Sequence, residues 1–320
     1  MKIVAYPNCS KGGVSTVIRN RALAEPQTQF FALFCSDRGG RGAFADLDNV
    51  RVEILEKPRM AGYIRYLLRF FDIEQVSILN LPEVANGVAA DAGDRLVFEF
   101  HSSDVPWIKR EIAQLDLGLV NRLAVPSEQM RKVLSNELDS DVSALLQVVP
   151  NDLGAEVFTS DGDIADFGEV FDENQKLLVW VGRIEWKKGD VDFLRALAQL
   201  PDDYVGVLVI SLEDDPEPVS AILREALELG VASRIHLLMD LNQQEVASIF
   251  RAARVSEGWF VSTSYIESYG YAVREALGCG LRVAAYEPEY AVWSDLVARD
   301  DAFFVPLGDV TELATVLRSR

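Results

Sequence analysis

The stretch that decides the fold lies in the last third of the chain, where residues 262–286 read STSYIESYGYAVREALGCGLRVAAY. The apolar run 259–261 just before it is typical of a buried strand, and 283–285 is typical of the next strand. Between them, the spacing predicts a short helix over 270–278. The stretch therefore predicts a strand–helix–strand unit with a carboxylate, Glu267, in its first loop.

The loop of this unit is suited to binding an anion. If the helix begins near Ser268, its free N–H groups and the positive end of its dipole face the carboxyl edge of the sheet. Glu275 then lies roughly 12 Å beyond Glu267 along the helix axis, if every step between them is helical. A carboxylate at each end can accept hydrogen bonds from sugar hydroxyls, while the helix N-terminus binds a diphosphate. Spacing alone equally allows an amphipathic helix with two surface glutamates.

The pattern around the two glutamates resembles a family signature. Tyr-Gly follows Glu267 closely, seven residues separate Glu267 from Glu275, and Ala-Leu-Gly-Cys-Gly follows Glu275. This is similar to retaining glycosyltransferases of the GT-B fold, family 4, also called glycosyltransferase group 1. The resemblance implies an α/β chain with two Rossmann-like doubly wound domains facing a central cleft. It also implies that Glu275 holds the ribose and that Glu267 orients the donor sugar. The further donor-binding residues that it implies are Tyr269, Gly270, Tyr271 and Ala272.

A second motif supports the resemblance. Residues 179–189 read VWVGRIEWKKG at the end of a predicted strand, and the family's form is Gly-Arg, four residues, Lys-Gly. A departing nucleoside diphosphate gains negative charge, so fixed cations stabilise the transition state more than the ground state. We predict that Arg183 grips phosphate oxygens with its guanidinium fork and that Lys188 supplies a compact charge. A basic surface loop is the alternative.

Three residues in the first half of the chain are also candidate site residues. Gly12 and Gly13 follow the first strand and open a helix, a position that resembles the family's glycine loop beside the donor diphosphate and the acceptor. A tight turn is the alternative there. His101 ends an apolar strand, where the family often has a histidine near the donor sugar. The alternative for His101 is a helix entry capped by Ser103 or Asp104.

Strand-like runs alternate with helical ones along the whole chain, and the alternation restarts after residue 155. It predicts two doubly wound α/β domains, 1–155 and 156–320. The resemblance assigns the acceptor side to the first domain and the nucleotide sugar to the second. The predicted strands are 3–6, 30–34, 50–54, 76–80, 96–100, 122–125 and 146–149 in the first domain, and 177–182, 205–210, 235–238, 259–262, 283–285 and 303–305 in the second.

Composition limits the partners of the protein. Of 320 residues, 49% are hydrophobic and 25% charged, with a net charge of −19. Residues 1–155 carry 17 basic and 20 acidic residues, a charge of −3, and residues 156–320 carry 14 and 30, a charge of −16. We therefore expect no nucleic-acid partner.

No apolar run is long enough to span a membrane, so we expect a cytoplasmic protein. Cys9, Cys35 and Cys279 lack metal-ligand spacing and are expected to be free thiols.

One segment, residues 57–71, mixes basic residues with tyrosines, phenylalanines and leucines. Such a mixture can contact a membrane surface or a lipid-linked acceptor. An ordinary helix with its charges in solvent is the favoured interpretation.

The sequence also departs from the family pattern. No glycine pair follows 283–286, where the chain reads EPEYAVW over 287–293, and residues 211–216 replace the usual Gly-x-Gly. The family's long C-terminal helix is not found before Arg320, and we expect it to be absent. These departures leave the nucleobase and the sugar open. They also keep two alternatives: a sugar-nucleotide epimerase on the same fold, and a catalytically degenerate binding protein.

The sequence and the resemblance together predict a retaining, metal-independent hexosyltransferase. Its donor would be a UDP- or GDP-sugar, and its acceptor hydroxyl would belong to a glycan, a lipid-linked molecule or a small molecule, in surface glycan or glycoconjugate synthesis. No Asp-x-Asp motif lies at a loop that would need one, so neither a metal nor a cofactor is implied. The predicted catalytic residues are Arg183, Lys188, Glu267 and His101.

Overall fold

The computed structural model describes residues 1–151, 153–154, 156–166, 174–210, 217–288 and 292–319. The chain divides into two compact units, Met1–Asp152 and Leu153–Arg320. Within the described residues each unit has one parallel sheet, of seven strands in the first unit and six in the second. The predicted α/β class is therefore confirmed. Three predicted features fall outside the described residues: the end of the first domain at Ala155, the segment 211–216 and part of the segment 287–293.

The first unit is a doubly wound sheet with the strand order β3-β2-β1-β4-β5-β6-β7. The order reverses between β1 and β4, so the loops that follow these two strands separate at the carboxyl edge of the sheet. Its strands are β1 (Lys2–Cys9), β2 (Phe30–Asp37), β3 (Val50–Ile54), β4 (Gln75–Leu79), β5 (Leu96–Glu99), β6 (Leu123–Val125) and β7 (Leu146–Val148). Its helices are α1 (Gly13–Ala24), α2 (Lys57–Phe70), α3 (Pro82–Ala92), α4 (Val105–Ile112), α5 (Glu128–Glu137) and α6 (Ser140–Ser143).

The second unit has the strand order β10-β9-β8-β11-β12-β13. Here the order reverses between β8 and β11, the two strands that precede the candidate motifs. Its strands are β8 (Lys176–Gly182), β9 (Tyr204–Ile210), β10 (Ile235–Met239), β11 (Trp259–Ser262), β12 (Val283–Glu287) and β13 (Ala302–Pro306). Its helices are α7 (Asp190–Ala198), α8 (Glu217–Glu228), α9 (Gln243–Val255), α10 (Tyr271–Gly278) and α11 (Val310–Arg318).

The sheet of the second unit is covered on both faces. Successive residues of a strand point to opposite faces, and in β11 Phe260 packs in one apolar layer with Phe250 while Trp259 packs in the other with Phe193. Every residue of β9 is buried. Burial on both faces explains why these strands read as continuous apolar runs rather than as alternating ones.

The predicted strands are all confirmed, with ends that move by up to three residues. β4 stops at Leu79, one residue before the predicted end, because Asn80 has a φ of 56° and cannot continue the strand. The predicted helix cap at Asp104 is confirmed as well, because Asp104 Oδ1 accepts a hydrogen bond from the Trp107 N–H at 3.0 Å. Ser127 caps a further helix, since its Oγ accepts one from the Met130 N–H at 3.1 Å.

Candidate functional site

Lys188 and Glu267 meet beyond the carboxyl ends of β8 and β11. Lys188 Nζ donates to Glu267 Oε2 at 3.0 Å, and the two side chains are 25% and 15% exposed. The other carboxylate oxygen, Oε1, accepts from the N–H groups of Ser268 at 3.2 Å and Gly270 at 3.3 Å. The structure thus brings together an ammonium group, a carboxylate and backbone N–H groups from the two motifs that the sequence identifies.

Close backbone approach explains how the two loops meet. Gly189 has a φ of 64°, and a Cβ at this position would lie 2.1 Å from the Thr263 carbonyl oxygen, so only glycine fits. The Thr263 hydroxyl donates to the Lys188 carbonyl oxygen at 3.1 Å and accepts from Trp180 Nε1 at 3.1 Å. Lys188 is therefore fixed at its backbone by β8 and by the loop after β11.

A buried carboxylate, Asp192 in α7, supports the same loop. Its Oδ2 accepts from the Tyr265 hydroxyl at 2.5 Å and the Tyr286 hydroxyl at 3.1 Å, and the Tyr265 N–H donates to the Lys187 carbonyl oxygen at 2.9 Å. The hydrogen bond to Asp192 raises the pKa of Tyr265 to about 12. Sequence reasoning missed this network, because an acidic residue in the first turn of a helix is also an ordinary dipole partner.

The N-terminus of α10 lies at Tyr271, one residue after the predicted start at Gly270. The helix does not extend back to Ser268, the start assumed for the anion site, because Gly270 has a φ of 73° and interrupts it. A Cβ on Gly270 would lie 2.2 Å from the Trp293 ring, so the ring packs directly on the glycine backbone. Trp293 is itself held by a hydrogen bond of 2.8 Å from Nε1 to the Tyr286 carbonyl oxygen.

The helix start at Tyr271 decides the relation of the two glutamates. Glu267 lies before α10, and Glu275 is the fifth residue of α10. The condition for a 12 Å separation along one helix axis is therefore not met, because only four of the steps between them are helical. Glu275 is 8% exposed, and burial raises the pKa of its carboxyl to about 8. The Glu275 carboxyl is therefore protonated in most protein molecules at pH 7.

The other predicted donor residues lie at the end of β8 and at the start of α10. Arg183 directly follows β8, its side chain is 51% exposed, and its Nη2 donates to Glu185 Oε1 at 2.9 Å. Tyr269 and Tyr271 flank Gly270, with ring centroids 5.0 Å apart, and Ala272 is in the first turn of α10. Their contact with a diphosphate stays a prediction.

The predicted glycine loop opens α1 in the first unit. Gly12 is the N-cap of α1, and its N–H donates to Ser10 Oγ at 3.3 Å. A Cβ on Gly13 would meet no described atom within 4 Å. Packing around Gly13 therefore does not itself require a glycine, and its predicted contact with a donor stays a prediction.

His101 is joined to a buried ion pair at the end of β5. Its Nε2 lies 3.0 Å from Glu99 Oε2, and because a carboxylate only accepts, Nε2 carries the proton of this bond. Arg21 Nη1 and Nη2 donate to Glu99 at 3.0 and 2.7 Å. Burial raises the pKa of Glu99, but Arg21 and His101 outweigh it and hold that pKa well below its usual range. The sequence prediction included His101 and missed Arg21 and Glu99.

The predicted free thiols are confirmed: Cys9, Cys35 and Cys279 form no disulfide. Cys279 is buried, and burial raises its pKa to about 11.

In the described part of the chain, no group of three or more His, Cys, Asp and Glu side chains is arranged to hold a metal ion. No helix among the described residues has both the length and the apolar character needed to cross a membrane.

The comparison with protein families concerns the unit that carries both motifs. Residues 162–319 match the family model described as Glycosyl transferases group 1. The matched residues include β8 to β13, the Lys188–Glu267 pair and α10.

Two relatives of known name resemble this chain over part of their length. The D-inositol 3-phosphate glycosyltransferase of Mycolicibacterium smegmatis is 31% identical over 168 residues, 52% of this chain and 37% of the relative. That of Corynebacterium jeikeium is 27% identical over 242 residues, 71% of this chain and 54% of the relative. The chain thus spans 37% and 54% of the lengths of these two relatives.

Solved structures show that the likeness of fold extends over the whole chain. Anabaena HepE, in complex with UDP and glucose, superposes with a TM-score of 0.79 at 15% identity, over 99% of this chain and 88% of that one. WaaG, a glycosyltransferase involved in lipopolysaccharide biosynthesis, gives 0.72 at 16% identity, over 99% and 90%. The GT-B fold class predicted from the sequence is confirmed, with its two parallel-sheet domains.

Proposed function

We propose that this protein is a retaining, metal-independent glycosyltransferase of family 4 that moves a hexosyl group from a nucleotide-diphosphate sugar to an acceptor hydroxyl. The observation that carries the proposal is the Lys188–Glu267 pair, 3.0 Å apart beside the Gly270 N–H that precedes α10. The ammonium group can stabilise a leaving diphosphate, the carboxylate can accept from a sugar hydroxyl, and the N–H groups in the first turn of α10 can bind phosphate oxygens.

The donor is proposed to be a UDP- or GDP-sugar. The solved complexes of Anabaena HepE with UDP and with UDP-glucose support a uridine nucleotide. Arg183 and Lys188 would neutralise the diphosphate, together with the amides from Gly270 to Ala272. Fixed cations at this position lower the barrier because the negative charge on the diphosphate grows as the sugar bond breaks.

The two glutamates would bind the two ends of the donor. Glu267, already held by Lys188 and two amides, would accept from sugar hydroxyls and orient the sugar. Glu275 would hold the ribose hydroxyls. Hydrogen bonds donated by a ribose favour the charged carboxylate, so donor binding should release a proton from Glu275, whose pKa is about 8. No covalent nucleophile is assigned, and the donor phosphate would take the proton of the acceptor hydroxyl.

The first domain would supply the acceptor side of the reaction. Gly12 and Gly13 would face the donor diphosphate and the acceptor, and His101 would contact the sugar or the acceptor hydroxyl. The acceptor is proposed to be a glycan, a lipid-linked molecule or a small molecule, used in surface glycan or glycoconjugate synthesis in the cytoplasm.

A transfer assay tests the proposal. The nucleotide sugar that stabilises the protein would be incubated with an acceptor panel in the presence of EDTA, and the product's anomeric configuration would be read from NMR coupling constants. Transfer with the donor's configuration is expected. An inverted product would contradict retention, and a requirement for a divalent ion would contradict metal independence. A new sugar formed without any acceptor would instead indicate an epimerase.

A further inference from the structure

Glu111 carries a buried carboxyl group that the proposed mechanism does not use. It lies in α4 and is 4% exposed, on the helix face that also buries the apolar residues Ile108 and Ile112. Burial raises the pKa of Glu111 to about 7, against the effect of hydrogen bonds from the side chains of Asn80 and Trp107. Both partners are neutral, so they compensate the burial only in part. A leucine would fill this position at lower cost, and packing alone therefore does not account for a carboxyl group here.

Asn80 directly follows β4 and is the first of the two partners. Its Nδ2 donates to Glu111 Oε2 at 3.4 Å. The residue is half-buried and has a φ of 56°, a left-handed conformation that asparagine adopts more readily than most residues. β4 lies where the strand order of the first sheet reverses, and ligands of open α/β sheets bind at the carboxyl edge beside such a point. Because the amide nitrogen is bonded to Glu111, the amide oxygen is the atom of this side chain that can accept from a ligand.

Trp107, in the first turn of α4, is the second partner. Its indole Nε1 is the only donor of the side chain, so the bond to Glu111 fixes which edge of the ring faces the carboxyl group. The side chain is still 44% exposed, although the Arg110 guanidinium lies 5.3 Å from the ring centroid. A large apolar ring that is oriented by a hydrogen bond and left in solvent is suited to contact a ligand.

We propose that Asn80, Trp107 and Glu111 form a subsite for a pyranose ring, so that the acceptor is a saccharide. A pyranose has C–H groups on its faces and hydroxyl groups around its edge. The C–H face stacks on the indole of Trp107, and a hydroxyl donates to the amide oxygen of Asn80. Glu111 does not touch the sugar: it is a positioning residue that holds the amide and the indole. This inference rests on the proposed function, which gives the acceptor side to the first domain.

The chemistry of the three side chains favours a sugar over the other acceptor groups. A phosphate would meet an amide oxygen and a carboxyl group, which are both acceptors, and its charge would be repelled by the ionised form of Glu111. An alkyl chain could cover the Trp107 ring, but it would remove water from the amide oxygen of Asn80 without offering a donor. A pyranose supplies an apolar face and a donor together.

Saturation-transfer NMR on the full chain tests whether a pyranose binds there. The probes are the methyl α- and β-glycosides of glucose, galactose, mannose and N-acetylglucosamine, titrated without a donor to obtain Kd values. At least one glycoside should bind, with saturation strongest on the protons of one ring face. Trp107→Ala should raise its Kd about tenfold, the loss expected for one aromatic contact. Asn80→Gly keeps the left-handed backbone, removes the amide and should raise the Kd about fivefold.

Matched controls come from the second unit. Trp186→Ala removes a tryptophan that is 69% exposed. Asp240→Gly replaces a polar residue that, like Asn80, follows a strand and has a φ of 57°. Neither control should change the Kd of the glycoside.

Two variants of Glu111 separate a positioning role from a structural one. Glu111→Leu should raise the Kd about tenfold without lowering the urea midpoint, because it removes a buried carboxyl group while releasing its two donors. Glu111→Gln keeps an acceptor oxygen and should bind the glycoside like wild type. A lower urea midpoint in Glu111→Leu with an unchanged Kd would show that Glu111 is only structural.

The remaining outcomes distinguish this subsite from the proposed function. No binding of any glycoside, or the same Kd in Trp107→Ala and Trp186→Ala, would overturn the subsite. Transfer to a glycoside with the same acceptor KM in wild type and Trp107→Ala would also overturn it, while leaving sugar transfer intact. Glycoside binding that Trp107→Ala weakens, in a protein that transfers no sugar, would support the subsite and contradict the proposed function.

Discussion

Lys188 Nζ lies 3.0 Å from Glu267 Oε2, although the two residues are 79 positions apart in the chain. β8 and β11 are parallel neighbours at the point where the strand order of the second sheet reverses, so the loops after them meet. The two motifs that carry the family resemblance therefore form one site.

Lys188→Met should lower kcat/KM for sugar transfer by about 100- to 1,000-fold, the usual loss for one preorganised charge contact in a transition state. The neighbouring Lys187→Met is the matched control, because the Lys187 ammonium lies 5.9 Å from the Trp186 ring rather than at Glu267. Steady-state kinetics of both variants check the prediction. Equal rates in the two variants would remove Lys188 from the reaction.

Gly189→Ala should destabilise the second unit by several kcal/mol, because the added Cβ would overlap the Thr263 carbonyl oxygen and the positive φ adds strain. Gly230→Ala has a similar φ of 72° but open space around the Cβ, so it should cost only about 1 kcal/mol. Urea unfolding of the two variants separates the clash from the strain. Similar losses in both would show that the 187–189 and 263–265 loops are not in close contact.

Stability should fall as pH rises from about 4.5 to about 8, because buried Glu275 keeps its proton over this range whereas the unfolded chain loses it. The slope from this one group reaches about 1.4 kcal/mol per pH unit and vanishes above pH 8. Glu275→Gln lacks the titration, so its stability relative to wild type should increase with pH. Parallel pH profiles of the two proteins in chemical denaturation would contradict the raised pKa of Glu275.

Glu99→Gln should cost about 3 to 5 kcal/mol at pH 7, because it leaves the largely buried Arg21 guanidinium without its counter-charge. The exposed pair of Arg51 and Glu53 is the control, and Glu53→Gln should cost less than about 1 kcal/mol. Since the pKa of Glu99 is lowered by folding, its contribution is full above about pH 4.5 and is lost as pH falls below that value. Equal losses in the two variants at pH 7 would contradict a buried ion pair.

Much of the fold could be predicted from the sequence, because the strands are buried on both faces and read as apolar runs between turn residues. The start of α10 is also predicted to within one residue, because Gly270 marks it. The packing of the Trp293 ring on the Gly270 backbone could not be predicted, because it comes from another part of the chain.

The residues of the candidate site also differ in how far they could be predicted. Local motifs identify Arg183, Lys188 and Glu267, whereas the ion pair that holds His101 includes Arg21, which lies in a distant element. Glu99 and His101 are two residues apart at the end of a strand, which places both on one face and is the signal that could have predicted their contact. Nothing local indicates that Arg21 in α1 completes the ion pair.

The most direct test of the sugar-transfer account is a thermal-shift screen of nucleotides and nucleotide sugars without added metal, on wild type, Lys188→Met and Lys187→Met. We predict that one nucleoside diphosphate and its sugars raise the Tm of wild type and Lys187→Met, with a much smaller rise for Lys188→Met. No rise with any nucleotide, or the same rise in all three proteins, would contradict a donor site at Lys188 and Glu267.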